Sequence, residues 1–98
     1  MSDDATIAAE RIEVLAEQAR EAARTDHPDR ARECVRRARR VAERHRLSLP
    51  ASFERFVCDR CDAYLCPGRN ARVRTQSGHV VVTCECGSQA RYPYADSQ

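Results

Sequence analysis

Tryptophan and lysine are absent from the 98 residues, and aromatic mass is confined to two Phe and three Tyr. A chain of this size buries only about 60 to 70% of the surface its unfolded form exposes. With so few large apolar side chains, the second half needs something besides a core to hold it. No stretch approaches the roughly 18 apolar residues of a membrane span. Met1-Ser2-Asp3-Asp4 forms neither a basic n-region nor the start of an apolar h-region. A cytoplasmic protein with no membrane partner is expected. Only three Gly are present, with no Gly-rich phosphate loop. Nor is there a Ser/His/Asp set in a supporting context, or a paired-carboxylate pocket that so small a unit could desolvate. All 17 basic residues are Arg. GC-rich coding or life at high salt explains missing lysine more economically than function does, so the functional signal is where the arginines cluster.

They cluster unevenly. Residues 1–29 carry three Arg against eight acids, residues 30–46 eight Arg against Glu33 and Glu43, and residues 55–91 six Arg against Asp59, Asp62 and Glu85. An acidic start followed by a basic middle and end is the electrostatic footprint of a protein that lays one face on a phosphate backbone.

Against these absences stand six cysteines, four of them written Cys58-x2-Cys61 and, after 22 residues, Cys84-x-Cys86-Gly87. Two short cysteine pairs separated by a β-rich stretch supply the four thiolates of a zinc ribbon. Cytoplasmic thiols stay reduced, which favours metal over disulfide. The second pair is one residue shorter than usual, so Cys66 remains a spare ligand. A four-thiolate site is closed and has no open position for a catalytic water. Structural zinc can contribute on the order of 10 kcal/mol to folding a ribbon poor in apolar mass.

Ahead of the cysteines, apolar residues at Ala5, Ala8, Ala9, Ile12, Leu15, Ala16, Ala19, Ala22 and Ala23 follow the stripe of an amphipathic helix. It should stop at Thr25-Asp26-His27-Pro28, where Pro28 suits the first turn of a second helix. That helix has the stripe Ala31, Cys34, Val35, Ala38, Val41, Ala42 and His45, with Cys34 read as a small buried hydrophobe. A short connection makes the two helices antiparallel. Arg32, Arg36, Arg37, Arg39, Arg40 and Arg44 occupy the opposite face, with few acids nearby in sequence to neutralise them. The expected fold is α+β: a helical hairpin over residues 1–47, a packed connector over 48–54, and a small zinc ribbon over 55–98.

Within the ribbon, Phe53 to Val57 reads as an extended approach to the first cysteine pair. Ala71-Arg72-Val73-Arg74-Thr75 alternates apolar and basic side chains, so one sheet face should be basic. After a Gln76-Ser77-Gly78 turn, His79-Val80-Val81-Val82-Thr83 leads into Cys84. Residues 89–94 form a last segment that Pro93 confines to an edge. His79 is read as structural. Arg55, Arg60, Arg69, Arg72, Arg74 and Arg91 surround the ribbon. Tyr64, Tyr92 and Tyr94 offer stacking faces or cover its small core, two roles that stay open. Arginine interleaved with aromatic rings suits RNA.

In order along the chain come Ala38-Arg39-Arg40-Val41-Ala42, Arg55-Phe56-Val57-Cys58-x2-Cys61, Leu65-Cys66-Pro67-Gly68, Arg72-Val73-Arg74, Val82-Thr83-Cys84, Cys86-Gly87 and Arg91-Tyr92-Pro93-Tyr94. Over nearly its whole length this series closely resembles the archaeal ribonuclease P protein component 4 family. The resemblance implies a protein subunit of the ribonucleoprotein that removes 5′ leaders from precursor tRNA, in which the RNA performs the hydrolysis with magnesium. It also implies one structural Zn2+ on Cys58, Cys61, Cys84 and Cys86, and a heterodimer with ribonuclease P protein component 1 among the other protein subunits. Candidate contacts to ribonuclease P RNA and precursor tRNA are Arg36, Arg37, Arg39, Arg40, Arg69, Arg72, Arg74 and Arg91. One departure stands out: the family usually has two residues between its last two cysteines, and this chain has one. A zinc-ribbon nucleic-acid module of the transcription or ribosomal machinery is the alternative.

Overall fold

Small residues at helical spacing set the architecture. In the computed structural model, which describes residues 4–93, helix α1 (Asp4–Arg24) buries Ala8, Ile12, Leu15, Ala16, Ala19, Ala22 and Ala23. Helix α2 (Pro28–His45) runs antiparallel to it and buries Ala31, Cys34, Val35, Ala38 and Ala42. Alanine on both stripes lets the backbones approach closely, and Cys34 sits in this core as a small apolar group. Ala5 and Ala9 share the expected stripe but are exposed, at the free end of the hairpin. No helix among the described residues is long and apolar enough to cross a membrane.

Both helices end in the same way, without glycine. Asp26 takes φ 65°, its N–H bonding Ala23 O (3.2 Å) and that of His27 bonding Ala22 O (2.8 Å). Arg46 takes φ 58°, with its N–H on Glu43 O (3.3 Å) and the Leu47 N–H on Ala42 O (2.8 Å). Each pair of bonds satisfies carbonyls that a helix end otherwise leaves open. His27, extended at φ −121° and ψ 72°, precedes Pro28 at the start of α2, as the restriction on pre-proline residues requires.

The connector is structured. Pro50 (φ −55°, ψ 138°) starts a helical turn, α3 (Ala51–Glu54), and its carbonyl accepts the N–H of Phe53 (3.0 Å) and of Glu54 (2.8 Å). This differs from the extended path expected from Phe53 onward. A proline that stops one helix is equally suited to begin the next, and the turn drives Phe53, 1% exposed, into the hairpin core beside Val35, Ala38 and Val57.

Strands β1 (Ala71–Gln76), β2 (His79–Cys84) and β3 (Gln89–Pro93) form an antiparallel sheet in that order, so β1 and β3 are both edges. Gly78, at φ 73°, closes the first hairpin. Register sorts the side chains. Arg72 pairs with Thr83, Arg74 with Val81, and Val81 with Arg91, placing all three arginines on one face. Val73, Val82 and Ala90 lie on the other, as do Thr75, Val80 and Tyr92. Tyr94, expected to continue the last segment, lies outside the described residues.

Candidate metal centre and arginine surfaces

Two tight turns bring four sulfurs together. In the first, the Cys58 N–H bonds Ala63 O (2.9 Å), the Asp62 N–H returns to Cys58 O (3.0 Å), and Asp62 takes φ 65°. The second begins where β2 ends. The Gly87 N–H bonds Cys84 O (2.8 Å), Gly87 takes φ 99°, and the Cys84 N–H bonds Ser88 O (2.8 Å). This turn lets cysteines only two residues apart aim at one point, which answers the short second spacing. The Sγ atoms of Cys58, Cys61, Cys84 and Cys86 all lie within 4.8 Å of one another.

The arrangement fits a tetrahedral ion. Cys58 and Cys86 sulfurs are 3.7 Å apart and those of Cys61 and Cys84 3.6 Å. These are close to the roughly 3.8 Å edge of a tetrahedron with metal–sulfur bonds of about 2.3 Å, and too long for a disulfide. Burial pushes the Cys84 thiol up. At Cys58 the same burial is outweighed by the backbone N–H groups of Cys61 and Arg60 and by the neighbouring thiols of Cys86 and Cys61, so that thiol lies low. The two N–H groups stand 3.5 and 3.4 Å from Cys58 Sγ. Cys66 is not in the group: its sulfur donates to Tyr64 O at 3.8 Å.

Helix α2 uses part of its arginine face on the first cysteine turn. Arg32 Nε donates to Cys61 O (3.0 Å) and Arg39 Nη2 to Cys58 O (3.3 Å), gripping the backbone of both cysteines of that pair. Arg36 Nε bonds Asp62 Oδ2 (3.3 Å). Arg39 Nε stands 2.8 Å from Asp62 Oδ1, off the N–H axis, so charge rather than a straight hydrogen bond joins them. Arg37 and Arg40 share Glu33 at 3.3 and 3.8 Å. Acids distant in sequence therefore neutralise part of a face that looked unpaired within its own helix.

The outer sheet face is different. Arg72, Arg74 and Arg91 have no acidic partner within 4 Å among the described residues. Arg74 and Arg91 flank Val81, which is 1% exposed. All three arginines are exposed. Arg72 and Arg74, with Arg69, Asn70, Thr83 and Gln89, line a groove of about 840 Å³ that runs to Cys84. Arg69 also ties the two halves together: its Nη1 donates to Ala23 O (2.8 Å) at the end of α1.

Three features of the site carried no sequence signal of their own. Asn70 Oδ1 accepts the Cys66 N–H (2.7 Å), its Nδ2 donates to Tyr64 O (3.1 Å), and its carbonyl accepts the Glu85 N–H (2.9 Å), so it staples one loop to the second cysteine turn. Asp62 receives two arginines. Phe56 is 43% exposed although large and apolar. Of the tyrosines, Tyr64 packs on Phe53 and Phe56, while Tyr92 lies under Arg55 and donates its hydroxyl to Arg55 O at 3.4 Å. His79 Nδ1 pairs with Ser77 O at 2.9 Å, a local turn contact.

Comparison with known proteins agrees with this geometry. Residues 11–87 match the family described as the RNAse P Rpr2/Rpp21/SNM1 subunit domain. Ribonuclease P protein component 4 of Halobacterium salinarum is 71% identical over 90 residues, covering 92% of this chain and 97% of the relative. The protein of that name from Methanocaldococcus jannaschii is 45% identical over 91 residues, covering 89% and 71%. Among solved structures, a chain of an archaeal ribonuclease P determined with mature tRNA by cryo-electron microscopy superposes with a TM-score of 0.83. It is 44% identical and covers 90% of this chain and 77% of its own. Pfu Rpp21 superposes at 0.63 with 38% identity, covering 89% and 99%.

Proposed function

The chain belongs to the RNAse P Rpr2/Rpp21/SNM1 subunit family and is a protein subunit of ribonuclease P; from that premise we propose how it serves the particle. It is a non-catalytic subunit. The ribonucleoprotein removes 5′ leaders from precursor tRNA, and this chain supports the RNA that does so. Cys58, Cys61, Cys84 and Cys86 hold one structural Zn2+, which fixes both cysteine turns and has no open position for a substrate. The units are the hairpin (1–47), the connector (48–54) and the ribbon (55–98), acting together in the cytoplasm.

The observation that carries the RNA reading is the register that puts Arg72, Arg74 and Arg91 on one sheet face without acidic partners. Guanidinium groups in such a row bind phosphates bidentately. Arg69 joins them at the end of the groove. On α2, Arg37 and Arg40 keep exposed guanidinium groups for phosphate, whereas Arg36 and Arg39 act mainly by holding the ribbon against the hairpin. Ile7 and Val14 are exposed on α1, and Val14 lies beside Arg11 and Arg44. This apolar strip with a basic rim suits a protein contact, and we assign it to ribonuclease P protein component 1 as heterodimer partner.

The test is omission. Ribonuclease P RNA reconstituted with its other protein subunits is assayed for 5′ leader cleavage of precursor tRNA with and without the zinc-loaded chain. Stimulation that is greatest at low magnesium is expected of a subunit that supports a catalytic RNA. Equal cleavage in both arms, with correctly folded protein, would overturn the proposal.

A further inference from the structure

On the sheet face opposite the arginines, apolar surface is left open. Val73, Val82 and Tyr92, with Phe56, Pro67 and Arg55, line a slot of about 240 Å³. Phe56 packs against Tyr64 with ring centroids 6.2 Å apart and planes 15° from parallel. It is nonetheless 43% exposed, and Val73 is 45% exposed. One side of the Phe56 ring is thus fixed by a neighbour while the residue still offers surface to the slot. The Arg55 guanidinium lies over the Tyr92 ring, 5.2 Å from its centroid, and has no acidic partner within 4 Å among the described residues.

The slot is continuous with the arginine groove. Pro67 and Val73 line both, so the two concavities meet along the edge strand β1. That strand alternates, with Arg72 and Arg74 toward the groove and Val73 between them toward the slot. We propose that the slot receives one unpaired nucleobase of the RNA, stacked on Phe56, with its flanking phosphates on Arg72 and Arg74. The inference rests on the RNA-binding role of those arginines proposed above. Its volume of about 240 Å³ suits one planar base rather than the extended apolar face of an amphipathic helix. The charged residue at the rim, Arg55, favours a polyanion. Stacking on an aromatic side chain changes affinity by roughly five- to 150-fold per base.

The experiment probes the assembled particle with dimethyl sulfate and a carbodiimide, which report unpaired bases, and measures RNA affinity in parallel. Wild-type protein is expected to protect at least one unpaired base. Phe56→Leu, which keeps apolar packing but loses the aromatic face, and Val73→Glu, at an exposed strand position, should each restore that base's reactivity at least about threefold. Each should also weaken RNA binding by about tenfold. If Phe56→Leu does not fold, Val73→Glu alone decides. Unchanged reactivities in the variants overturn the slot, as does release of another protein subunit with base reactivities intact. The paired control is Arg72→Gln with Arg74→Gln: lost affinity there alongside unchanged base reactivities in the slot variants leaves the arginine reading standing and removes only the base. Full affinity in that control removes both.

Discussion

Arg39 and Asp62 meet 2.8 Å apart, Nε to Oδ1, across the seam between the helical hairpin and the first cysteine turn. Both are partly shielded, their side chains 31% and 22% exposed, and the same guanidinium also bonds Cys58 O. One arginine therefore links the helix richest in arginine to the backbone of a cysteine in the four-sulfur cluster.

Breaking that link should cost stability without removing the metal. Arg39→Met is expected to destabilise the zinc-loaded protein by about 1–3 kcal/mol, because the Cys58 carbonyl loses a charged donor and Asp62 loses one of its two arginines. Urea unfolding should show a lower midpoint with an unchanged slope. In a double-mutant cycle with Asp62→Asn, a coupling energy above about 0.5 kcal/mol is expected. A value near zero would make the pair incidental.

Cys86→Ser should remove the metal and the sheet together. Zinc content is expected to fall from about one ion per chain to none. Strand signals in circular dichroism should collapse while much of the helical signal persists, since the hairpin core does not include these cysteines. Because thiols must release protons to bind the ion, lowering the pH of the wild type should reproduce the same sequence of losses. Native strand signal in a zinc-free protein would contradict this.

Asn70→Ala should cost about 1–3 kcal/mol, the penalty for leaving the Cys66 N–H and Tyr64 carbonyl without their partner. The loss should be visible as a lower thermal midpoint at saturating zinc. A variant as stable as the wild type would show that water replaces the amide.

At Arg46, glycine is expected to stabilise. The residue occupies the left-handed region at φ 58°, where a side chain costs about 1 kcal/mol, so Arg46→Gly should gain a few tenths to about 1 kcal/mol. Destabilisation would mean that the Arg46 side chain makes a contact worth more than the strain.

Much of this molecule could be read from its residues. Structural zinc sites use few ligand types in a tetrahedron, so the spacing of Cys58, Cys61, Cys84 and Cys86 marked them as a group, and their sulfurs do cluster; the alanine stripes placed the hairpin. Alternation in Arg72-Val73-Arg74 foretold a basic sheet face. The partners of the helix arginines were hidden: Asp62 lies 26 residues beyond Arg36, and a helix pattern reports only the charges on its own surface. Arg91 joins Arg72 and Arg74 only through strand register, which pairs Val81 with both Arg74 and Arg91. Phe56 looked like part of a strand leading to the metal, and its exposed ring is visible only once Tyr64 is seen beside it.

The division between arginines that touch RNA and arginines that hold the fold is tested most directly by the salt dependence of RNA binding. Wild type is compared with Arg72→Gln/Arg74→Gln and with Arg36→Gln/Arg39→Gln, all zinc-loaded, at temperatures where each is folded. The sheet pair should flatten the plot of log K against log salt by about 1 to 2 units, near 0.7–0.9 per lost phosphate contact. The helix pair should leave the slope unchanged and lower stability instead. A flattened slope in the helix pair, with an unaltered one in the sheet pair, would contradict the account.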